Sequence, residues 1–323
     1  MIGHPDPAER TTSPAVTLFV VSAVQFLTPF MFSAVGVALP TIGREFGSSA
    51  VELSLIEMVY ILAVALLLLP SGRYADIHGR KRIFITGTVV LTMATILLAA
   101  APSIEVLIFL RFLQGAGAAL ITSTSIAILS SVFEPQKRGR AMGIIVACVY
   151  MGLSAGPTLA GVMITHMGWR WIFIAAVPIE IATLILTLTS LKGEWAEAHG
   201  EPFDWPGSLI YMIALFWLIF GTTRLNETEF GKWFMLAGLI GLAVFTIFEW
   251  RIDSPVLDVR LLASNRTFAF SSIATCINYA ASFGVTFFFS LYLQFVKGFS
   301  PQTAGFVLVI QPIVMAAFAP ISG

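Results

Sequence analysis

Three ionisable side chains lie within long apolar stretches of the sequence, where a charge is costly. Glu57 and Glu180 are the two acids well inside such stretches, and Arg111 is the base. A charge in hydrocarbon costs on the order of 3 kcal/mol or more, so each group must be neutral, paired or in contact with water. A protonatable acid beside a fixed cation lets a proton and another ligand compete for the same site. The three residues are therefore candidates for proton coupling, with the acids as proton carriers and Arg111 as the fixed cation.

Depth within the apolar stretches ranks these candidates. Glu57 lies about six residues, or ~9 Å, from one end of the second stretch, a depth similar to that of Arg111 in the fourth. Glu180 lies about nine residues beyond Trp171, hence ~14 Å deep in the sixth stretch. We rank the Glu57–Arg111 pair first and Glu180 second. A purely structural role for both acids is the third alternative.

The elements that position these residues are ten apolar segments. Each is long enough for an α-helix to cross ~30 Å of hydrocarbon, which takes about 20 residues, and the continuous runs differ from the alternating strands of a barrel. Only 11% of the residues are charged, against about 25% in soluble proteins. The sequence thus predicts an all-α membrane protein with spans at residues 16–39, 51–70, 83–101, 104–133, 140–164, 169–191, 205–223, 233–250, 268–296 and 302–322.

The distribution of lysine and arginine predicts that the N-terminus is cytoplasmic. With that orientation, twelve basic residues lie on the inner side and five on the outer side, as the positive-inside rule requires. The inner residues are Arg10, Arg73, Arg80, Lys81, Arg82, Lys137, Arg138, Arg140, Lys192, Arg251, Arg260 and Arg266, and the outer ones are Arg44, Arg170, Arg224, Lys232 and Lys297. Because residues 1–14 lack the pattern of a cleaved signal peptide, we expect the first segment to be retained. The expected location is the plasma or inner membrane, with multiple passes.

Local patterns in three regions stand out from the composition. Residues 72–82 form an inner loop in which Asp76 can pair with Arg80, and a basic loop alone does not explain the spacing of its glycines. Residues 111–119 begin with the intramembrane arginine, whose simpler interpretation is an anchor at the interface. The third pattern lies in the fifth segment and consists of Gly152, Gly156, Pro157 and Gly161. Its small residues favour close helix packing and its proline bends the helix, and ordinary helix packing without a transport role is the simpler interpretation.

In this order and on these segments, the three patterns resemble the signature motifs of the major facilitator superfamily. Residues 72–82 look like its inner-loop motif, residues 111–119 like its fourth-helix motif, and residues 152–161 like its antiporter motif. The run Trp169-Arg170-Trp171-Ile172-Phe173 and the run Asp258-Val259-Arg260-Leu261-Leu262 are similar to the fourteen-helix drug:proton antiporter branch. The chain ends after about ten of those helices. Met31 stands where that branch places an acid in the first helix, so coupling by another acid is expected.

The resemblance implies an architecture in four parts. Residues 1–191 are expected to form a six-helix bundle, residues 192–204 a cytoplasmic linker, and residues 205–250 two inserted transmembrane helices. Residues 251–323 would be the first two helices of an incomplete C-terminal bundle. A sixth helix is peripheral in this family, so Glu180 has the alternative role of binding the inserted helices.

The resemblance also implies a function. It predicts a secondary active transporter that exports lipophilic or amphipathic small molecules in exchange for protons, as multidrug efflux proteins do. The alternatives are a metabolite uniporter or symporter, and a truncated chain without transport activity of its own. We expect a cytoplasmic gate at Gly72, Asp76, Gly79 and Arg80, and a substrate cavity lined by Phe26, Phe30, Met31 and Gln114.

Other classes of function find little support in the sequence. It contains no nucleophile–base spacing or phosphate-binding loop, so an enzyme is not expected. Cys148 and Cys276 are isolated in apolar runs, and neither a metal nor a cofactor is expected. Eighteen basic and eighteen acidic residues cancel, which gives no net charge to attract nucleic acid. The expected partners are a small-molecule substrate, protons and the lipid bilayer, and the oligomeric state stays open.

Overall fold

The computed structural model describes residues 12–225 and 229–299, with single positions between 303 and 318. Within this part of the chain, eight helices are long and apolar enough to cross a membrane. They coincide with the first eight predicted segments, and the predicted all-α membrane class is confirmed. The predicted segment at 302–322 lies largely outside the described residues.

The first compact unit ends at Glu201 and holds six of these helices. The six helices are α1 (Pro14–Phe46), α2 (Ala50–His78), α3 (Arg80–Ala99), α4 (Ile104–Val132), α5 (Pro135–His166) and α6 (Arg170–Ser190). Helix α4 packs between α2 and α3, while α1 packs on α5 and α3 also packs on α6. Apolar side chains of α1, α4 and α6, such as Val35, Leu107 and Phe173, form the main core of this unit.

The second unit begins at Pro202. Two of its helices pack on each other, with the rings of Trp217 and Phe234 stacked at 4.8 Å. A Cβ atom on Gly238 would overlap the backbone of Leu218, so this contact is close. The helices are α7 (Trp205–Thr223), α8 (Glu229–Glu249), the short α9 (Val259–Ser264) and α10 (Arg266–Leu291), which coincides with the ninth predicted segment.

The connection between α2 and α3 differs from the predicted inner loop at residues 72–82. Gly72 and Asp76 lie within α2, Arg80 begins α3, and Gly79 alone connects the two helices. Its φ of 112° lies in the region that residues with a Cβ rarely adopt. The loop prediction is wrong because the end of an apolar run marks where a span leaves the hydrocarbon. Backbone hydrogen bonds can continue the helix beyond that point.

Helices α1 and α5 approach each other closely at two glycines of the predicted antiporter motif. A Cβ atom on Gly152 would overlap the carbonyl oxygen of Phe26, and one on Gly156 would overlap the Ser33 hydroxyl. At Gly161, no described atom would lie within 4 Å of such a Cβ. Pro157 lies inside the continuous helix α5. The small residues therefore differ in how tightly they pack.

Candidate functional site

Arg111 is fully buried in α4 and uses all three guanidinium nitrogens. Its Nε donates to the carbonyl oxygen of Ile56 at 3.3 Å, Nη1 to Gln114 Oε1 at 2.6 Å and Nη2 to Glu57 Oε1 at 3.3 Å. The guanidinium carbon lies 4.4 Å from the centre of the Tyr60 ring, within the range of a cation–π contact. An arginine that anchors a helix at the interface would be exposed. Full burial with these partners favours the paired interpretation instead.

Hydrogen bonds continue from Arg111 to the second intramembrane acid. Gln114 Nε2 donates to Thr95 Oγ1 at 2.9 Å, and Thr95 Oγ1 lies 3.1 Å from Glu180 Oε1. Gln114, Thr95 and Glu180 are all fully buried. The bonded residues come from four helices: Glu57 from α2, Arg111 and Gln114 from α4, Thr95 from α3 and Glu180 from α6. We call Glu57, Arg111, Gln114, Thr95 and Glu180 the buried polar chain.

Two glycines on α4 explain why these helices come close enough for such bonds. A Cβ atom on Gly115 would overlap the carbonyl oxygen of Tyr60 on α2, and one on Gly117 would lie 2.6 Å from the amide nitrogen of Leu91 on α3. Both neighbours are backbone atoms, which cannot turn aside as a side chain can. Close approach on either side of α4 brings its polar side chains within reach of both neighbours.

The two acids differ in how exposed their side chains are. The Glu57 side chain is 18% exposed, whereas Glu180 is fully buried. Among the described residues, Glu57 Oε2, Glu180 Oε2 and the Tyr60 hydroxyl have no hydrogen-bond partner. A buried carboxylate with an oxygen that accepts no hydrogen bond is costly, and protonation relieves that cost. Either acid can therefore hold a proton, and Glu57 is the more exposed of the two.

The predicted gate residues belong to an ion-pair cluster with residues 192–201. Arg80 Nε donates to Asp76 Oδ1 at 2.7 Å, and Arg80 Nη1 donates to Glu197 Oε1 at 2.8 Å. The Arg80 guanidinium lowers the pKa of the Glu197 carboxyl through this bond. Arg73 pairs with Glu201, and Glu194 accepts a hydrogen bond from the Lys81 amide at 2.8 Å. We call these side chains together the linker cluster: Arg73, Asp76, Arg80, Glu194, Glu197 and Glu201.

Sequence reasoning treated residues 192–204 as a separator and missed this contact. The signal was present as three acids, Glu194, Glu197 and Glu201, on the same predicted side of the membrane as the basic residues at 73–82. A Cβ atom on Gly79 would lie 2.5 Å from Glu194 Cδ, so a larger residue there would push the segment away. Gly72 has only an ordinary contact, with Ser123 Cβ at 3.6 Å.

The predicted cavity residues occupy different surroundings. Phe30 and Met31 are buried in the apolar core of the first unit, and Phe26 is partly buried with its ring 5.8 Å from that of Phe30. Gln114 belongs to the buried polar chain. A role for these four residues in a substrate cavity stays a prediction.

Another group that the sequence did not reveal joins the end of α1 to the start of α6. Glu45 Oε1 pairs with Arg170 Nη1 at 2.7 Å, and Glu45 Oε2 accepts from Trp169 Nε1 at 2.7 Å. The prediction that the first segment ends at residue 39 hid this group. Helix α1 continues to Phe46 and carries Glu45 to the same end of the bundle.

The second unit contains a further pair of buried acids, Asp204 and Glu249. Asp204 Oδ1 accepts from the Gly207 amide at 2.9 Å, and Glu249 Oε2 accepts from the Leu257 amide at 3.0 Å. The remaining oxygens of both carboxyls face Gly207, where a Cβ atom would overlap them. Two carboxylates this close repel each other, and protonation of Glu249 would relieve that repulsion. Sequence reasoning missed Glu249 because it lies at the very end of its apolar segment.

These observations define a polytopic α-helical membrane protein whose six-helix unit holds an acid–base chain in its interior. The chain belongs to the Major Facilitator Superfamily, whose family model matches residues 21–323. The family predicted from the motifs is thus confirmed.

Curated relatives match almost the whole chain. The Multidrug resistance protein Stp of Mycobacterium tuberculosis (strain CDC 1551 / Oshkosh) is 31% identical over 294 residues, which cover 90% of this chain and 54% of Stp. The Cephamycin export protein CmcT of Amycolatopsis lactamdurans is 32% identical over 95% of this chain and 64% of CmcT. The Riboflavin transporter RibZ of Clostridioides difficile (strain 630) is 27% identical over 95% of this chain and 67% of RibZ. The chain therefore spans 54% to 67% of the length of these relatives.

A solved structure shows the same fold. The peptide transporter POT in complex with sulfate superposes with a TM-score of 0.63 at 16% identity, over 94% of this chain and 67% of POT. At this identity the likeness supports the fold and carries no information on substrate.

Proposed function

We propose that the protein is a secondary transporter that exports lipophilic or amphipathic small molecules in exchange for protons. Two relatives support export by their names, one for multidrug resistance and one for cephamycin export. The observation that carries the proton-coupled part is the partly exposed Glu57 beside the fully buried Arg111. We also propose that the N-terminus is cytoplasmic, on the strength of the lysine and arginine distribution.

The geometry assigns different roles to the two members of this pair. Arg111 is held by the Ile56 carbonyl, the Tyr60 ring and Gln114, so its position does not depend on Glu57 alone. Glu57 can take up a proton from solvent and thereby lose its attraction to the guanidinium. Glu57 then no longer balances the positive charge of Arg111, which lies among apolar side chains. A conformation that relieves this cost becomes favoured, which is how proton binding can shift a transporter between two states.

Transport by the purified chain in liposomes tests the proposal. Glu57→Gln is expected to lower uptake of ethidium driven by a pH gradient about tenfold or more, because glutamine cannot take up and release a proton beside Arg111. Glu52→Gln is the matched control. It makes the same change on the same helix, at a residue that caps the α2 N-terminus through Ser49. If Glu57→Gln and Glu180→Gln both keep the wild-type pH dependence, the coupling mechanism is wrong.

A metabolite transporter is the second candidate, and the relative named for riboflavin favours it. Riboflavin flux that needs no pH gradient, together with the absence of ethidium flux, would support this alternative over the exporter. Absence of any flux would support the third hypothesis, that this length of chain has no transport activity of its own.

A further inference from the structure

The buried polar chain holds two acids but a single base. With both acids ionised its net charge is −1, with both protonated it is +1, and with one proton it is neutral. A net charge among apolar helices is costly, so the neutral state is favoured. The chain therefore favours retention of one proton.

The surroundings supply no other charge that would alter this balance. Tyr60 faces Arg111 from α2 and is neutral at ordinary pH. All other described charged or histidine side chains of α1–α6 lie within five residues of a helix end, whereas Glu57 and Arg111 lie seven residues from one and Glu180 lies ten. The other side chains are Arg44 and Glu45 on α1; Glu52, Arg73, Asp76 and His78 on α2; Arg80, Lys81 and Arg82 on α3; Glu105 on α4; Lys137, Arg138, Arg140 and His166 on α5; and Arg170 on α6. Glu134 lies just before α5, at its N-cap.

Hydrogen-bond directions link Arg111 to Glu180 as well as to Glu57. Arg111 donates to Gln114 Oε1, and Gln114 Nε2 donates to Thr95 Oγ1. Because both donors point the same way, the positive guanidinium polarises this path towards Glu180. The path therefore stabilises an ionised Glu180.

The Thr95 hydroxyl can serve either protonation state of Glu180. It has one proton and two acceptor lone pairs. Its oxygen lies 2.9 Å from the Leu91 carbonyl oxygen and 3.1 Å from Glu180 Oε1. When Glu180 is ionised, the hydroxyl donates to the carboxylate. When Glu180 is protonated, the hydroxyl can donate to Leu91 and accept from the acid.

We propose that Glu57 and Glu180 share one proton through Arg111, Gln114 and Thr95, so that protonation of either acid favours ionisation of the other. Glu180 is then a second proton-binding residue of the same site, and Gln114 and Thr95 are positioning residues. Protons are exchanged with water, and only O–H bonds form and break. The consequence for transport rests on the proposed function, whereas the shared proton rests on the charges and bonds of the chain itself.

Infrared difference spectroscopy of the full chain in lipid at neutral pH tests the shared proton. A protonated carboxyl has a C=O band that a carboxylate lacks, and subtraction of variant from wild type cancels all unchanged carboxyls. Glu57→Gln and Glu180→Gln are each expected to remove one such band, because the remaining acid becomes the sole partner of Arg111 and ionises. Each single variant should then match the Glu57→Gln/Glu180→Gln double variant in this region. A single variant that keeps a band absent from the double variant would overturn the proposal.

Loss of the Thr95 hydroxyl tests the route by which the two acids communicate. Glu57→Gln/Thr95→Val disconnects Glu180 from Arg111, so the protonated-carboxyl band is expected to return. Thr88→Val in the same Glu57→Gln background is the control, since the buried Thr88 hydroxyl donates to the Phe84 carbonyl on the same helix. Absence of the band in the Thr95 variant, or its return in the Thr88 variant, would contradict the role of Thr95.

The two proposals can fail separately. The expected band pattern without pH-driven ethidium transport would refute the proposed function and leave the shared proton intact. Transport that depends on Glu57, with spectra in which the acids titrate independently, would refute the shared proton and leave the function intact.

Discussion

At the scale of single residues, the planar fork of Arg111 decides the geometry of the buried polar chain. Its three nitrogens contact Ile56, Gln114 and Glu57 in different directions, which one ammonium group on a flexible stem cannot reproduce. We expect Arg111→Lys to lower stability by about 1–3 kcal/mol, because buried acceptors lose their donors. Thermal unfolding in detergent measures the change. Arg44→Lys, at an exposed arginine on α1, is the control, and equal effects of the two changes would contradict this account.

Acid should weaken the linker cluster in a defined direction. Arg80 holds the pKa of Glu197 below its usual 4.5, so the pair stabilises the docked segment above that value. The stabilisation is lost as the pH falls through the lowered pKa. Since the Glu197 side chain is 73% exposed, the effect is small. The protection of residues 193–201 against hydrogen exchange, taken relative to the intrinsic exchange rate at each pH, should fall on acidification in the wild type.

Glu197→Gln should show the lower protection already at neutral pH, with a weaker dependence of protection on acid. Glu134→Gln serves as the control, because Glu134 forms an exposed pair with Lys137 on α5. A Glu197→Gln variant whose exchange matches the wild type at every pH would show that this pair does not hold the segment.

At the scale of elements, close packing of α1 on α5 depends on position within the glycine motif. Gly152→Ala places a methyl group against the Phe26 carbonyl oxygen, a backbone atom, and is expected to cost about 1–3 kcal/mol. Gly161→Ala, on the same helix, meets open space and gains helix propensity, so its stability should be unchanged or slightly higher. Thermal unfolding of both variants measures the difference. Equal destabilisation would mean that the motif acts through the helix backbone and not through packing.

At the scale of the whole molecule, the excess of basic residues on one side predicts a single orientation. Met167 is exposed between α5 and α6, and His199 is exposed in the segment before Glu201. Each is replaced by cysteine, as Met167→Cys or His199→Cys. In a background with Cys148→Ser and Cys276→Ser, a membrane-impermeant maleimide should label Met167→Cys in intact cells. It should label His199→Cys only after permeabilisation. The opposite pattern would reverse the proposed orientation.

Much of this molecule followed from the sequence alone, because the relevant physics is local. Runs of about 20 apolar residues mark membrane spans wherever they occur, and the eight helices of membrane-spanning length within the described residues match such runs. A charge in such a run is costly whatever surrounds it, so Glu57, Arg111 and Glu180 stood out as residues that need an explanation. The ordered motifs were likewise enough to identify the family.

Only the tertiary structure decided which partners these residues have. Thr95 is one of many threonines in apolar segments, and its role depends on α3 lying between α4 and α6. Glu180 meets Thr95 of α3, and its alternative role of binding the inserted helices stays a prediction. The pairing of Arg80 with Glu197 joins residues 117 positions apart. Such contacts arise from the choice of neighbouring helices, which depends on backbone approach at glycines such as Gly115 and Gly117, and no local pattern specifies that choice.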